Sequence, residues 1–561
     1  MSNFDRSPYF GQVDRSRIGL LTAYQEQLDE RLSQLHDYEH PLFEGGYTLD
    51  VYEYLKDKTL NREQMQTEEV LDYMSYYFRN LPDWSYPGTM INVIPSVNVL
   101  SAAVSGVAEF FNPNCAQDTY SGNLLLAELE VIKYMSDLLG WDWLRSTGIF
   151  TFGGTGTNLY AIKLALLNAD GETAARGAER GKYFSITSKN GHPCHYQLCD
   201  WIGIGSDACI EIPCNADGDL DVEATAAAVR ANLRAGKTFL GFNLTGGSTN
   251  EMQIDDVESI YRLRETLVEE FALPYKPMIH VDSVLGWVYL FFRDYDFAQN
   301  PNGYSADTLR TLQSLYRKVS GFRYADTLGI DFHKTGFCPY VTSLFLVQNK
   351  EQYFKLNPAK SYDVAAMHYG DYNPFYTSLE YSRSAKGPIA ALTCLKSLGS
   401  NAFATLIGDL TEATGMFRRC LQSDPRICII DTRAEGFASI FSLVPPHLSE
   451  TVRDVADLRA LPEEEVRQLQ ELNAAFGKKI LADCVNRSKH FLFTSSRSYT
   501  LPGTDIKIGA LKAYPMSVFL DKEQAQALAA EISESISEFF CNTAALALAP
   551  ELFQDMSRED T

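Results

Sequence analysis

Between Asn112 and Asn349 the chain alternates short apolar runs with amphipathic helical stretches, and this alternation restricts the fold more than any other feature. KYFSITS, ACIEIP, TFLGFNL, PMIHVDS and TSLFLVQ are β-rich runs bounded by glycine, proline or asparagine, whereas LLLAELEVIKYMSDLLGW and NLYAIKLALLNA carry a helical period. Strands that alternate with helices form crossover units, and a series of them builds a mostly parallel sheet covered on both faces. Ligands on such sheets sit beyond the carboxyl ends of the strands. Functional side chains are therefore expected just after these runs.

The flanks read differently. Residues 1–110 form helical segments with tyrosine-rich connections, broken by Pro87 and Pro95. After Ser400 come further helices, such as EEEVRQLQELNAAFGKKILADCV, and the short strands ICIID, ASIFSLV and HFLFTSS. The expected division is a helical N-terminal segment over 1–110, a large α/β domain over 111–399 and a small α+β C-terminal domain over 400–561.

Charge and composition exclude several classes. With 45% hydrophobic and 22% charged residues the chain is an ordinary globular sequence. A net charge of −23 argues against a nucleic-acid partner, because phosphate binding needs a basic face. No apolar run reaches the ~18–20 residues of a membrane helix. The opening MSNFDRSPYFGQVDRSR lacks the apolar core of a signal peptide, so a cytoplasmic location is expected. The 11 cysteines show no CxxC pair. Cys194 and Cys199 lie near His192 and His195, but reduced, mostly buried thiols are the better reading, and no metal is expected.

Four local features follow strands or open helices. TFGGTGTNLYAIKLAL runs Gly153, Gly154 and Gly156, with Thr155 and Thr157, straight into a helix. Free amides and the positive dipole end there make an anion cradle, although such a turn also serves structure alone. PMIHVDSVLGW ends a strand in Asp282, which is a metal ligand, a helix cap or a partner for a cationic ring nitrogen. ADTLGIDFHKTGF delivers His333 and Lys334 at the end of an apolar segment. A lysine there is either a surface cation or an amine made nucleophilic toward an aldehyde by desolvation. SITSKNGHPCH places His192 and His195 after a strand, in a structural or a catalytic role. Singly these are weak. In this order they match what pyridoxal phosphate requires: an anion site, a group against its ring, an acid at its ring nitrogen and an amine at its aldehyde.

The sequence at this point resembles the group II pyridoxal-phosphate-dependent amino-acid decarboxylases, which include glutamate, aromatic amino-acid and tyrosine decarboxylases. The likeness covers roughly residues 85 to 400. Asp331-Phe332-His333-Lys334 corresponds to the family's NPHK or DPHK motif, and His280-Val281-Asp282-Ser283-Val284 to HVDAA. Gly153 through Asn158 match GGxxSN, Thr187 through His192 match TSxxxH, and Gly247-Ser248-Thr249 with Asp255 resembles a GTT segment and a later aspartate. NPN at 112–114 and IDxHKxGxxPY at 330–340 look most like the bacterial tyrosine decarboxylase branch. Phe332 replaces the usual proline, and Ser283-Val284 replace two alanines beneath the ring, which leaves the substrate open more than the cofactor.

The resemblance implies a fold-type I architecture with a mostly parallel seven-stranded sheet, and a homodimer with shared active sites. It implies that Lys334 carries the cofactor's aldehyde, Asp282 keeps the pyridine nitrogen protonated, and His192 stacks on the ring above Val284. Gly156 and Thr157 would hold the phosphate, with His333 nearby and Thr249 close to the cofactor. Tyr362, in PAKSYDV, would return a proton to the carbon that loses CO2, with Tyr369, Tyr372 and Tyr376 as neighbours able to take that role. Arg383, in LEYSRSAKG, would receive the substrate carboxylate. The expected reaction converts an L-amino acid, preferably aromatic, to its amine and CO2. Acidic amino acids (glutamate, aspartate or cysteine sulfinate) are the alternative, as are another carbon–carbon lyase, an aminotransferase or an aldehyde-forming oxidative enzyme on the same fold. A non-catalytic scaffold is opposed by the presence of Lys334, Asp282 and His192.

Overall fold

A computed structural model describes residues 16–45, 50–215, 218–357, 370, 372–430, 435–501 and 504–546. Among these residues twelve strands run in chain order: β1 (Thr89–Met90), β2 (Thr147–Thr151), β3 (Tyr183–Ser188), β4 (Cys209–Ile212), β5 (Thr238–Thr245), β6 (Met278–Asp282), β7 (Thr327–Asp331), β8 (Ser343–Val347), β9 (Ile427–Ile429), β10 (Ser439–Leu443), β11 (Leu492–Thr500) and β12 (Lys507–Ala513).

The expected large sheet is present, with seven strands in the order β2-β8-β7-β6-β5-β3-β4. Neighbours from β7 to β4 pair in parallel, and β8 runs antiparallel to both β7 and β2. The inversion at β8 has a simple cause. Only residues 332–342 connect it to β7, and a parallel return needs a crossover of a dozen or more residues, usually through a helix.

The strands are apolar on both faces because both faces are covered. In β8, Leu344 and Leu346 enter one core with Phe242, Val281, Leu328 and Trp287, while Phe345 and Val347 enter another with Tyr160 and Leu164. The helix Gly154–Ala169 lies over β5 to β8 on the second face. The wholly buried segment Gly286–Asp294 supplies Trp287, Tyr289 and Phe292 to the first. Phe332, the departure from the family proline, is fully buried and packs its ring 4.7 Å from Trp287.

A second sheet, β1-β11-β12-β10-β9, is antiparallel except that β1 joins β11 in parallel. The N-terminal segment thus contributes an edge strand to the C-terminal sheet. The helix Lys386–Gln422 bends at Gly399 (φ +62°) and links the two units, with Phe403 in the large core and Phe417 and Leu421 in the core of the second sheet. No helix among the described residues is long and apolar enough to cross a membrane. The cysteines are free thiols, most of them buried.

Candidate active site

Five strands end at one edge of the large sheet. Thr245 of β5 stands beside Asp282 of β6, and Thr151 of β2 is joined through Ser343 to Asp331 of β7. His192 follows β3 at the same edge. The sequence-predicted residues from five separate segments therefore converge.

The turn after β2 opens the helix. Gly153 has φ +135°, a conformation L side chains rarely adopt, and no side chain caps the helix that starts at Gly154. The first amides are thus left for a ligand. A Cβ on Gly154 would lie 2.8 Å from Asp331 Oδ2 and 3.0 Å from Val284 Cγ1, so glycine keeps this approach open. Gly156 is buried against Thr151. Thr157 is also buried, and its hydroxyl donates to the Gly154 carbonyl at 2.7 Å, so it braces the turn.

Asp282 is 6% exposed. Its Oδ2 accepts from Asn158 Nδ2 at 2.9 Å, and Asn158 Oδ1 lies 2.8 Å from His280 Nε2. His280 Nδ1 is 2.9 Å from Thr327 Oγ1. If the amide donates to the carboxylate, its carbonyl must accept, so His280 carries its proton on Nε2 and accepts from Thr327. Burial alone would raise the Asp282 pKa, but His195, the Asn158 bond and His280 outweigh it and hold the carboxyl below the usual range. Burial pushes His280 down to about 3 and His195 down to about 4, so both rings are neutral near pH 7. The bond donated by Asn158 favours the ionised form of the carboxyl as well. Asp282 Oδ1 is buried and has no hydrogen-bond partner among the described residues.

His195 Nε2 lies 3.7 Å from Asp282 Oδ2, and Cys194 completes a buried Cys194–His195–Asp282 group whose ligand atoms lie within 4.8 Å of one another. Burial pushes the Cys194 thiol up to about 12, which disfavours the thiolate a metal would take. His192 is exposed, and its Nδ1 accepts from the Cys194 amide at 3.2 Å, leaving the ring turned to the cavity that it lines.

Lys334 follows β7, its side chain 23% exposed, with Nζ 3.3 Å from Asp331 Oδ2. Asp331 is buried; Ser343 Oγ donates to its Oδ1 at 2.5 Å, and His333 Nε2 stands 3.6 Å from its Oδ2. His333 Nδ1 lies 3.1 Å from the Thr342 carbonyl, and burial lowers its pKa. Asp331 was visible in the lysine motif, but its grip on Lys334 was not deduced from sequence.

A cavity of about 280 Å³ holds His192, Thr249, Asp282 and Val284, with Thr245 between them. Thr249 lies on a turn tied by Asp255, whose carboxylate accepts from the Thr245 and Leu220 amides at 2.7 and 2.9 Å. The opposite wall comes from the C-terminal sheet, through Ser496, Tyr499 and Lys512, none of which the sequence marked.

One further expectation falls elsewhere. Arg383 does not line this cavity. It is buried in an ion pair with the fully buried Glu128 and donates to the Cys115 carbonyl at 2.9 Å. Tyr372 Oη lies 3.2 Å from Glu128 Oε2 in the same group. Tyr362 and Tyr369 lie outside the described residues.

The residues present fit pyridoxal phosphate. Asp282 Oδ1 is a buried, unsatisfied carboxylate oxygen, a feature that calls for a cationic N–H. Thr245 Oγ1 is a second buried polar atom at the cavity without a partner among the described residues. An uncapped glycine turn and an amine complete the set.

The fold is the fold-type I architecture, and the strand-end site carries groups of the kind pyridoxal phosphate requires. The Oryza sativa TDC determined with PLP and tryptamine superposes with a TM-score of 0.73 at 13% identity, over 94% of this chain and 100% of that one. An L-aspartate decarboxylase of Metarhizium robertsii is 24% identical over 281 residues, 50% of each chain. An L-tyrosine decarboxylase of Levilactobacillus brevis is 26% identical over 196 residues, 32% of this chain and 31% of that one. The match thus spans half or less of the length of these curated relatives. No family model matches the chain. In partial sequence matches and in fold, the chain is similar to pyridoxal-phosphate-dependent amino-acid decarboxylases.

Proposed function

We propose that this protein binds pyridoxal 5'-phosphate and decarboxylates an L-amino acid to the corresponding amine and CO2. The observation that carries the reading is the orphaned Oδ1 of Asp282, held ionised in a cavity whose other walls are His192, Val284 and Thr249. When bound, the cofactor supplies an electron sink for the pair left by a departing carboxylate.

Each residue then has a task of its own. Lys334 offers the amine that retains the cofactor, and Asp331 orients it. Asp282 accepts the ring N–H and balances its charge, and Asn158 and His280 fix the carboxylate's rotation. The uncapped amides from Gly154 to Gly156 would hold the phosphate at a helix start, with Thr157 bracing that turn and His333 following β7. His192 and Val284, which line the cavity with Thr249, would bound the cofactor ring. Tyr362 returns a proton to the substrate α-carbon. Arg383 was expected to hold the substrate carboxylate, but its pairing with Glu128 favours bracing the wall behind β2. The likeness to the tyrosine branch points to an aromatic side chain, while the aspartate decarboxylase among the relatives points to an acidic one. The family resemblance also supports a homodimer.

The test is purified protein reconstituted with pyridoxal phosphate and offered the common L-amino acids, with CO2, amine and aldehyde measured together. Amine and CO2 in equal amounts from one or a few substrates support the reading. Ketoacid or aldehyde as the main product would replace it with a transaminase or an oxidative enzyme.

A further inference from the structure

We propose that Lys512, on the C-terminal-sheet wall of the cavity, binds a carboxylate of the amino-acid substrate. This rests on the decarboxylase reading and deepens it.

Lys512 is in β12, and its side chain reaches the cavity lined from the other side by His192 and Asp282. Its Nζ donates to Asn250 Oδ1 at 3.1 Å and stands 5.5 Å from the centre of the Tyr499 ring. Among the described residues it forms no ion pair. Asn250 is neutral, and the nearby Glu251 accepts from the Tyr499 hydroxyl. The other lysine lining the cavity, Lys189, which follows β3, is paired with Asp505 at 2.5 Å. Arg383 is spent on Glu128. The Asp282 carboxylate is matched by the ring nitrogen in the proposed holoenzyme. Lys512 is therefore the cavity lysine with no carboxylate at ion-pair distance among the described residues, and Glu251 acts on it through space.

A partly buried ammonium held only by an amide carbonyl and a ring face pays a desolvation cost that an anion in the cavity would offset. Burial accordingly lowers the Lys512 pKa, with Glu251 opposing. The Tyr514 hydroxyl, 3.4 Å from the same Asn250 Oδ1, helps to hold that carbonyl under the lysine. Asn250 thus fixes the Lys512 ammonium at the cavity wall.

Two carboxylates could answer it: the α-carboxylate of any amino acid, or the side-chain carboxylate of an acidic one. Energetics favour the second. A cation gripping the group that departs as neutral CO2 stabilises the starting state more than the transition state, whereas a side-chain carboxylate keeps its charge throughout.

Calorimetric titration of the reconstituted holoenzyme with glutarate and with 3-phenylpropionate separates the two sources. Wild type, Lys512→Met and Lys512→Arg are compared, each with its cofactor absorbance band recorded. Loss of about tenfold or more in glutarate affinity in Lys512→Met, restored by Lys512→Arg, is expected for one charge-assisted contact. Unchanged 3-phenylpropionate binding would assign the contact to the side-chain carboxylate, and an equal loss for both acids would assign it to the α-carboxylate. Equal affinities of wild type and Lys512→Met for both acids, or no binding of either by wild type, overturns the proposal. Absence of the cofactor band in wild type would instead overturn the decarboxylase reading.

Discussion

Asn158 holds Asp282 by a 2.9 Å hydrogen bond across 124 residues of sequence, while its other amide atom sits 2.8 Å from His280. One amide therefore sets both the rotation of the carboxylate and the tautomer of the histidine, and leaves Asp282 Oδ1 free at the cavity. The arrangement presents one carboxylate oxygen and satisfies the other, which suits recognition of a single N–H.

Replacing Asp282 by Asn should leave the fold intact and cut turnover by several kcal/mol of transition-state stabilisation, because an amide cannot hold a ring nitrogen protonated. Asn158→Leu should act through the same atom and also strand Asp282 Oδ2 and His280 Nε2, at about 1–3 kcal/mol for each orphaned group. Cofactor affinity by absorbance titration and stability by urea unfolding check both. Unaltered cofactor affinity in Asn158→Leu would remove Asn158 from the site.

Arg383→Met should cost stability before it costs substrate affinity. The variant leaves Glu128 fully buried without its cation, a situation worth about 3–5 kcal/mol. Urea midpoints give the first quantity and KM the second. A stable variant with a raised KM would restore Arg383 to the substrate-carboxylate role.

Acid should weaken the fold through His195. Burial holds this ring down at about 4 against a usual value of 6.5. Between those values the unfolded chain binds a proton that the folded chain excludes, so stability falls as pH drops from 6.5 toward 4. The loss is on the order of 3 kcal/mol. His280, lowered to about 3, adds in the same direction. His195→Asn should lose less stability than wild type between neutral pH and about pH 5. Parallel urea curves for the two proteins at both pH values would contradict this.

Tyr362→Phe should retain cofactor and release CO2, yet form less amine. Without its proton donor the substrate carbon keeps the electron pair, which dioxygen can take, so aldehyde, ammonia and peroxide rise together. Tyr372 is a poor substitute, since its hydroxyl is engaged with Glu128. Wild-type amine production with no added oxygen uptake would move the role to Tyr369 or Tyr376.

What could be read from the sequence was whatever a strand and the residues after it carry locally. Asp282, His192 and Lys334 each follow an apolar run, and the glycine turn at 153–156 announces itself by composition. The antiparallel β8 was legible in principle, because 11 residues between strands leave no room for a crossover helix. The rest depends on contacts between distant segments. Glu128 looks like one more polar position on an amphipathic helix, and only the fold shows it paired with Arg383 across 255 residues. Lys512 meets Asn250 across 262 residues, and no motif marks either. Spacing can nominate a residue for a site, but burial and partners decide whether its charge is still available there.

Reduction of the reconstituted protein with borohydride, followed by peptide mapping, tests the central claim most directly. The account requires the visible absorbance band to vanish and the reduced cofactor to be found on Lys334, with no adduct in Lys334→Ala. An adduct on another lysine, or a protein that acquires no band at all, would contradict it.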